Sequence, residues 1–113
     1  MLVKKESAIE KHVATGCAVR EYACPSTLMS FATAFIDGRY PDEKRTTNSE
    51  CEEIYYVVSG SGIIHSEKGD FELSEGDMYF LEKGEVYWTE GKQMSVVLVN
   101  APGWFFEQCK NVD

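Results

Sequence analysis

Cys51-Glu52-Glu53-Ile54-Tyr55-Tyr56-Val57-Val58, running into Ser59-Gly60-Ser61-Gly62, is the stretch that decides the fold. Its β-branched and aromatic side chains, closed by serine and glycine, read as a strand with a defined end. Successive side chains of a strand point to opposite faces. Glu53, Tyr55 and Val57 therefore share one face, and Ile54, Tyr56 and Val58 the other. Cys51 joins the Glu53 face by the same period. Downstream, glycine recurs every seven or eight residues, at Gly62, Gly69, Gly76, Gly84 and Gly91. It separates five β-prone segments: Gly62–Ser66, Phe71–Leu73, Met78–Leu81, Val86–Glu90 and Met94–Asn100. Short, evenly spaced strands with turn residues between them predict an all-β sandwich or barrel.

Upstream, Val19–Tyr22 and Leu28–Ile36 read as two more strands. In the second, Met29, Phe31 and Phe35 oppose Ser30, Ala32 and Ala34, giving one bulky and one small face. Ser7–Gly16 predicts a short helix. Asp37–Ser49, with its charges, hydroxyls, Gly38 and Pro41, predicts a loop. Ala101–Asp113 reads as a tail packing back on the barrel, with Trp104-Phe105-Phe106 plugging a core or interface. The whole chain, 1–113, is expected to be one domain, with the barrel at about 28–100 and extensions at 1–18 and 101–113.

The 113 residues suffice for one hydrophobic core. With 43% hydrophobic and 27% charged residues, the chain has a foldable and not a disordered composition. No apolar run approaches the roughly 20 residues of a membrane span. Met1-Leu2-Val3-Lys4-Lys5-Glu6 develops no signal-peptide core, so a cytoplasmic location is expected. Eleven basic against nineteen acidic residues give a net charge of −8. That balance repels phosphate backbones and anionic lipid, so neither nucleic acid nor membrane is expected as a partner. Cys17, Cys24, Cys51 and Cys109 form no C-x-x-C pair and read as reduced thiols.

Glu53-Ile54-Tyr55-Tyr56-Val57-Val58-Ser59-Gly60-Ser61-Gly62 resembles the end of the first cupin motif. Gly69-Asp70-Phe71, Leu73-Ser74-Glu75-Gly76-Asp77-Met78-Tyr79-Phe80-Leu81 and Gly84 resemble the second. The resemblance implies a double-stranded β-helix, or jelly-roll barrel, a homodimer, and a small-molecule pocket in the barrel mouth. Metal-binding cupins carry an H-x-H pair just before the motif glutamate. If Glu53 is that glutamate, the positions are Ser49 and Thr47, or Asn48 and Thr46 if the loop is one residue longer. The P-x-G-x-x-H of the second motif reads Glu82-Lys83-Gly84-Glu85-Val86-Tyr87, so Tyr87 stands in place of the third histidine. Serine and threonine hydroxyls are weak neutral donors that do not replace imidazoles, so no metal and no other cofactor is expected.

Together these residues outline a pocket of Thr47, Ser49, Cys51, Glu53, Tyr55 and Tyr87. A buried Glu53 would have its proton affinity raised toward neutrality, and Tyr87 would supply a hydrogen bond or the opposite proton. Three functions stay open. The first is a metal-free protein binding a small polar organic ligand, sugar-like or organic-acid-like. The second is an isomerase, epimerase or lyase with Glu53 and Tyr87 as acid and base. The third is a non-catalytic structural or interaction module whose pocket its own side chains fill. His12 and His65 lie outside both motifs, and alternation separates Glu52 from Glu53, against a shared cation site. Trp88 faces away from Tyr87.

Overall fold

The computed structural model describes residues Met1–Asp113. Nine strands form one hydrogen-bonded sheet system that curls on itself. They are β1 (Ile9–Ala14), β2 (Cys17–Tyr22), β3 (Ser30–Tyr40), β4 (Arg45–Asn48), β5 (Glu52–Ser66), β6 (Gly69–Leu73), β7 (Met78–Leu81), β8 (Tyr87–Ala101) and β9 (Cys109–Val112). No helix is long and apolar enough to cross a membrane.

Two 15-residue strands, β5 and β8, make the barrel. They run antiparallel along their whole length, from Glu52 opposite Ala101 to Ser66 opposite Tyr87. Their two halves belong to different sheets. Glu53–Tyr56 of β5 pairs with β7, and Ser30–Ile36 of β3 pairs with Met94–Asn100 of β8, extending through β2 to β1. Gly62–Ser66 of β5 pairs with β6, while the start of β8 meets the end of β3 and, at Thr46, β4, which carries β9.

Glycine makes these corners. Gly69, Gly76 and Gly84 are turn glycines as the spacing predicts, but Gly62 and Gly91 face each other inside the long strands. A Cβ on Gly91 would lie 2.3 Å from the Ile36 carbonyl oxygen, and one on Gly62 would lie 2.5 Å from that of Glu90. Only residues without a side chain let the strands cross this closely. Gly60 sits at φ +77 beside the register shifts between Val57 and Ser61, where β5 bends from one sheet to the other. Segments expected as separate strands, Val86–Glu90 and Met94–Asn100, are thus one bent strand.

Three further expectations are corrected. Ser7–Gly16 is no helix: a short 3₁₀ turn at Lys5–Ser7 leads into β1. Asp37–Ser49 is only partly a loop, because β3 continues to Tyr40 and Arg45–Asn48 forms β4. The tail beyond Ala101 ends in β9, which completes the sheet edge on β4. For the end of β3, β4 and β9 a distant strand supplies the hydrogen bonds, whereas β1 takes its ladder from the adjacent β2 through a hairpin at Ala14–Cys17; local composition announces neither.

The core follows the alternation of β5: Tyr55 and Val57 are buried, while Tyr56 and Val58 are exposed. Ile36, Ile64, Met94 and Val96 join Val57 as its most buried members. On β3 the small face turns inward. Ala34 is buried, whereas Phe31 and Phe35 stand outside. Small inward side chains leave the barrel hollow at that end.

Candidate functional site

The hollow is a cavity of about 350 Å³, within the range of small-molecule sites. Glu53 lies on it near the start of β5, only 6% exposed. Its Oε1 accepts hydrogen bonds from Asn100 Nδ2 at 2.7 Å and Asn48 Nδ2 at 3.2 Å. Both bonds fall on one oxygen. Burial outweighs the two amides and pushes the Glu53 carboxyl up from its ordinary 4.5 to about 7.

Tyr55 and Tyr87 flank the carboxyl, their rings edge-on with centroids 6.4 Å apart. The Tyr55 hydroxyl pairs with Thr89 Oγ1 at 3.3 Å. Burial raises both phenols, and for Tyr87 the neighbouring Tyr55, Glu53 and Tyr40 raise it further. Tyr87 therefore stays protonated at neutral pH, a hydrogen-bond donor and not a base. Cys17 on β2 also borders the cavity, and burial followed by the Glu53 charge pushes its thiol up to about 12. It is inert as a nucleophile near neutrality.

The strand register of β4 selects between the two alignments open in the sequence. Thr46 and Asn48 are buried on its inner side, and Asn48 reaches the cavity and Glu53. Thr47 and Ser49, expected in the pocket, do not border it. Ser49 Oγ instead donates to the Gln108 carbonyl at 3.2 Å. Cys51 shares the inward face of Glu53 but lies behind Asn100, whose Nδ2 is 3.2 Å from its sulfur. Of the expected residues, the structure brings together Glu53, Tyr55 and Tyr87.

Sequence reasoning missed Asn100 and Trp104. Asn100 closes the inward row Met94, Val96, Leu98 of β8, and a polar residue ending an apolar row was its signal. Trp104 lies beyond any strand. Its backbone N donates to Ser30 Oγ at 3.0 Å, and its Nε1 donates to Asn48 Oδ1 at 3.0 Å. That second bond decides which end of the Asn48 amide faces Glu53. Phe106, by contrast, is 76% exposed and plugs nothing within this chain.

Two polar clusters lie elsewhere. Glu85, 3% exposed, accepts from Ser66 Oγ and Tyr79 OH, both at 2.6 Å, and from the Glu82 amide at 2.9 Å. It thereby anchors the loop that delivers Tyr87. His65 places its ring nitrogens 2.9 Å from Asp70 and 2.8 Å from Glu90 and stacks on Trp88 at 3.9 Å. Arg39 covers the Trp88 ring at 4.0 Å. Nowhere do three or more His, Cys, Asp or Glu side chains converge as metal ligands would.

The architecture is the cupin fold: a double-stranded β-helix with a cavity at one end. No protein-family model and no curated protein matches the sequence, but solved structures share the fold. A variant of Streptomyces PAC13 with uridine superposes with a TM-score of 0.89 at 17% identity, covering 99% of this chain and 90% of that one. PAC13 is described as a nucleoside dehydratase. KdgF from Halomonas sp. gives 0.76 at 16% identity, over 90% and 94% of the two chains. Ectoine synthase from P. lautus gives 0.69 at 20%, over 93% and 90%.

Proposed function

We propose that this chain binds a small polar organic ligand in the barrel cavity and exchanges a proton with it through Glu53. The observation that carries this reading is a buried carboxyl with one oxygen held by two amides and a proton affinity near neutrality, on the wall of a ligand-sized cavity. A carboxyl so tuned serves as general acid or base in an isomerase, epimerase or lyase, with Tyr87 donating to a developing oxyanion. PAC13 with uridine, similar in fold, supports the small-molecule class.

The proposed site works without a metal. Asn48 turns its nitrogen to Glu53 and its oxygen to Trp104, so it offers no free donor atom, and Tyr87 holds its proton. One carboxylate beside an occupied amide and a neutral phenol does not fit a transition ion.

We propose in addition that two chains pair on the outer face of the β3–β8–β5–β7 sheet. Phe31, Val99, Ile54 and Phe80 line up across the four strands, with Val97, Tyr56 and Met78 in the next row. An apolar sheet face this continuous is commonly an interface. Light scattering is expected to give twice the 12.8 kDa chain mass, and Tyr56→Lys to give the monomer; a monomeric wild type overturns the pairing.

Ligand-observed NMR with uridine, methyl glucoside and small amides tests the cavity. Ala32→Trp, which fills it, is expected to abolish the signals. Binding that survives this variant, or no binding by any probe, overturns the reading.

A further inference from the structure

The cavity walls carry two carboxylates, Glu53 and Glu21, and no lysine, arginine or histidine among their 21 residues. The chain has no helix beyond two three-residue 3₁₀ turns, so no helix N-terminus points amides at a bound anion either. Glu21 is paired with Lys11 at 2.8 Å, which leaves Glu53 as the unpaired carboxylate, and an anionic ligand would be desolvated beside it in a protein of net charge −8. A neutral ligand meets no such cost. Tyr22, Tyr40, Tyr55, Tyr87 and Trp104 supply aromatic surface for a flat ring. Glu53, Asn100 and Asn48 form one hydrogen-bonded polar group on the wall. A ligand that suits both has a planar, apolar-faced part joined to a hydroxylated part.

We propose that the cavity takes an uncharged nucleoside-type ligand and refuses its carboxylated or phosphorylated forms. This rests on the reading of the cavity as a ligand site, and it removes organic acids from the ligands considered for it. Glu53 acts here as the charge filter as well as the proton-exchanging group. Its Oε1 is held by Asn48 and Asn100, so the repulsion sits at a fixed place on the wall.

The test compares two probes of equal size and shape, uridine-5′-carboxamide and uridine-5′-carboxylate, with uridine as reference, by calorimetry on the full chain at about pH 8.5, where Glu53 is ionised. The carboxamide is expected to bind roughly tenfold or more tightly than the carboxylate, the scale of an unpaired buried charge. Glu53→Gln is expected to narrow the gap. The wild-type comparison stands without that variant. Equal affinities, or a preference for the carboxylate, overturn the charge filter. If methyl glucoside binds in a manner lost with Ala32→Trp while no nucleoside binds, the nucleoside class fails and the ligand cavity stands. If nothing binds, the cavity reading itself fails.

Discussion

Glu53→Gln is expected to make the protein more stable in alkali, and the size of the effect follows from burial. The folded protein raises the Glu53 carboxyl from 4.5 to about 7, because burial disfavours the ion more than the two amides favour it. Below 4.5 both folded and unfolded chains hold the proton. Between 4.5 and about 7 the folded chain keeps a proton that the unfolded chain releases, so stability falls as pH rises. Above that window the full cost is present, about 3 kcal/mol. Glutamine keeps an oxygen for Asn48 and Asn100 and never ionises. Urea denaturation of both proteins measures the difference, in which every other titrating group cancels. From about pH 5.5 to about pH 8.5 the variant is expected to gain about 2 kcal/mol on the wild type. A gap that stays constant to within about 0.5 kcal/mol would refute the claim that Glu53 is a desolvated carboxyl.

Three further outcomes follow from the polar contacts. Trp104→Phe keeps an aromatic ring, smaller than the indole, but removes the donor to Asn48 Oδ1, and should cost at least about 1–2 kcal/mol in urea. It should also raise the Glu53 titration midpoint followed by carboxyl NMR, since the Asn48 amide is then free to turn its oxygen to Glu53. Glu85→Gln should cost about 1.5–3 kcal/mol at neutral pH. Burial works against the Glu85 ion, but bonds from Ser66, Tyr79 and the Glu82 amide prevail and lower its proton affinity. Its stabilisation is therefore complete above 4.5 and disappears as acid titrates the folded carboxyl, which thermal unfolding across pH will show. For His65 the partial burial opposes the charge, yet Glu90 and Asp70 raise its affinity above the ordinary 6.5. The wild type should exceed His65→Gln most below 6.5 and lose the advantage as pH climbs through the raised folded value.

Much of the fold was legible because it depends on near neighbours. The alternation of Glu53, Tyr55 and Val57 against Ile54, Tyr56 and Val58 is a property of any strand, and it held residue by residue. Met78–Leu81 was bounded by turns on both sides and appears with those limits. What misled was local composition where a distant strand intervened. Arg45–Asn48 reads as loop, yet β9, more than sixty residues on, gives it a ladder. Gly62 and Gly91 read as turns because glycine marks turns, whereas here two strands pass too close for a side chain.

The sequence by itself determined the β class, the jelly-roll order, the inward direction of Glu53 and the absence of histidine from the motif positions. The β class and the missing histidines follow from residue type and a period of two, while the jelly-roll order and the inward direction of Glu53 are what the resemblance to cupins implied. Tertiary structure alone decided that Asn48 and not Ser49 faces Glu53, that Asn100 completes its amide pair, and that Trp104 orients Asn48. The last two relations join residues 47 and 56 positions apart, and Asn48, only five residues from Glu53, meets it because β4 is held by β8 and β9. They depend on how far a bent strand carries each side chain around the barrel, a distance no local pattern encodes.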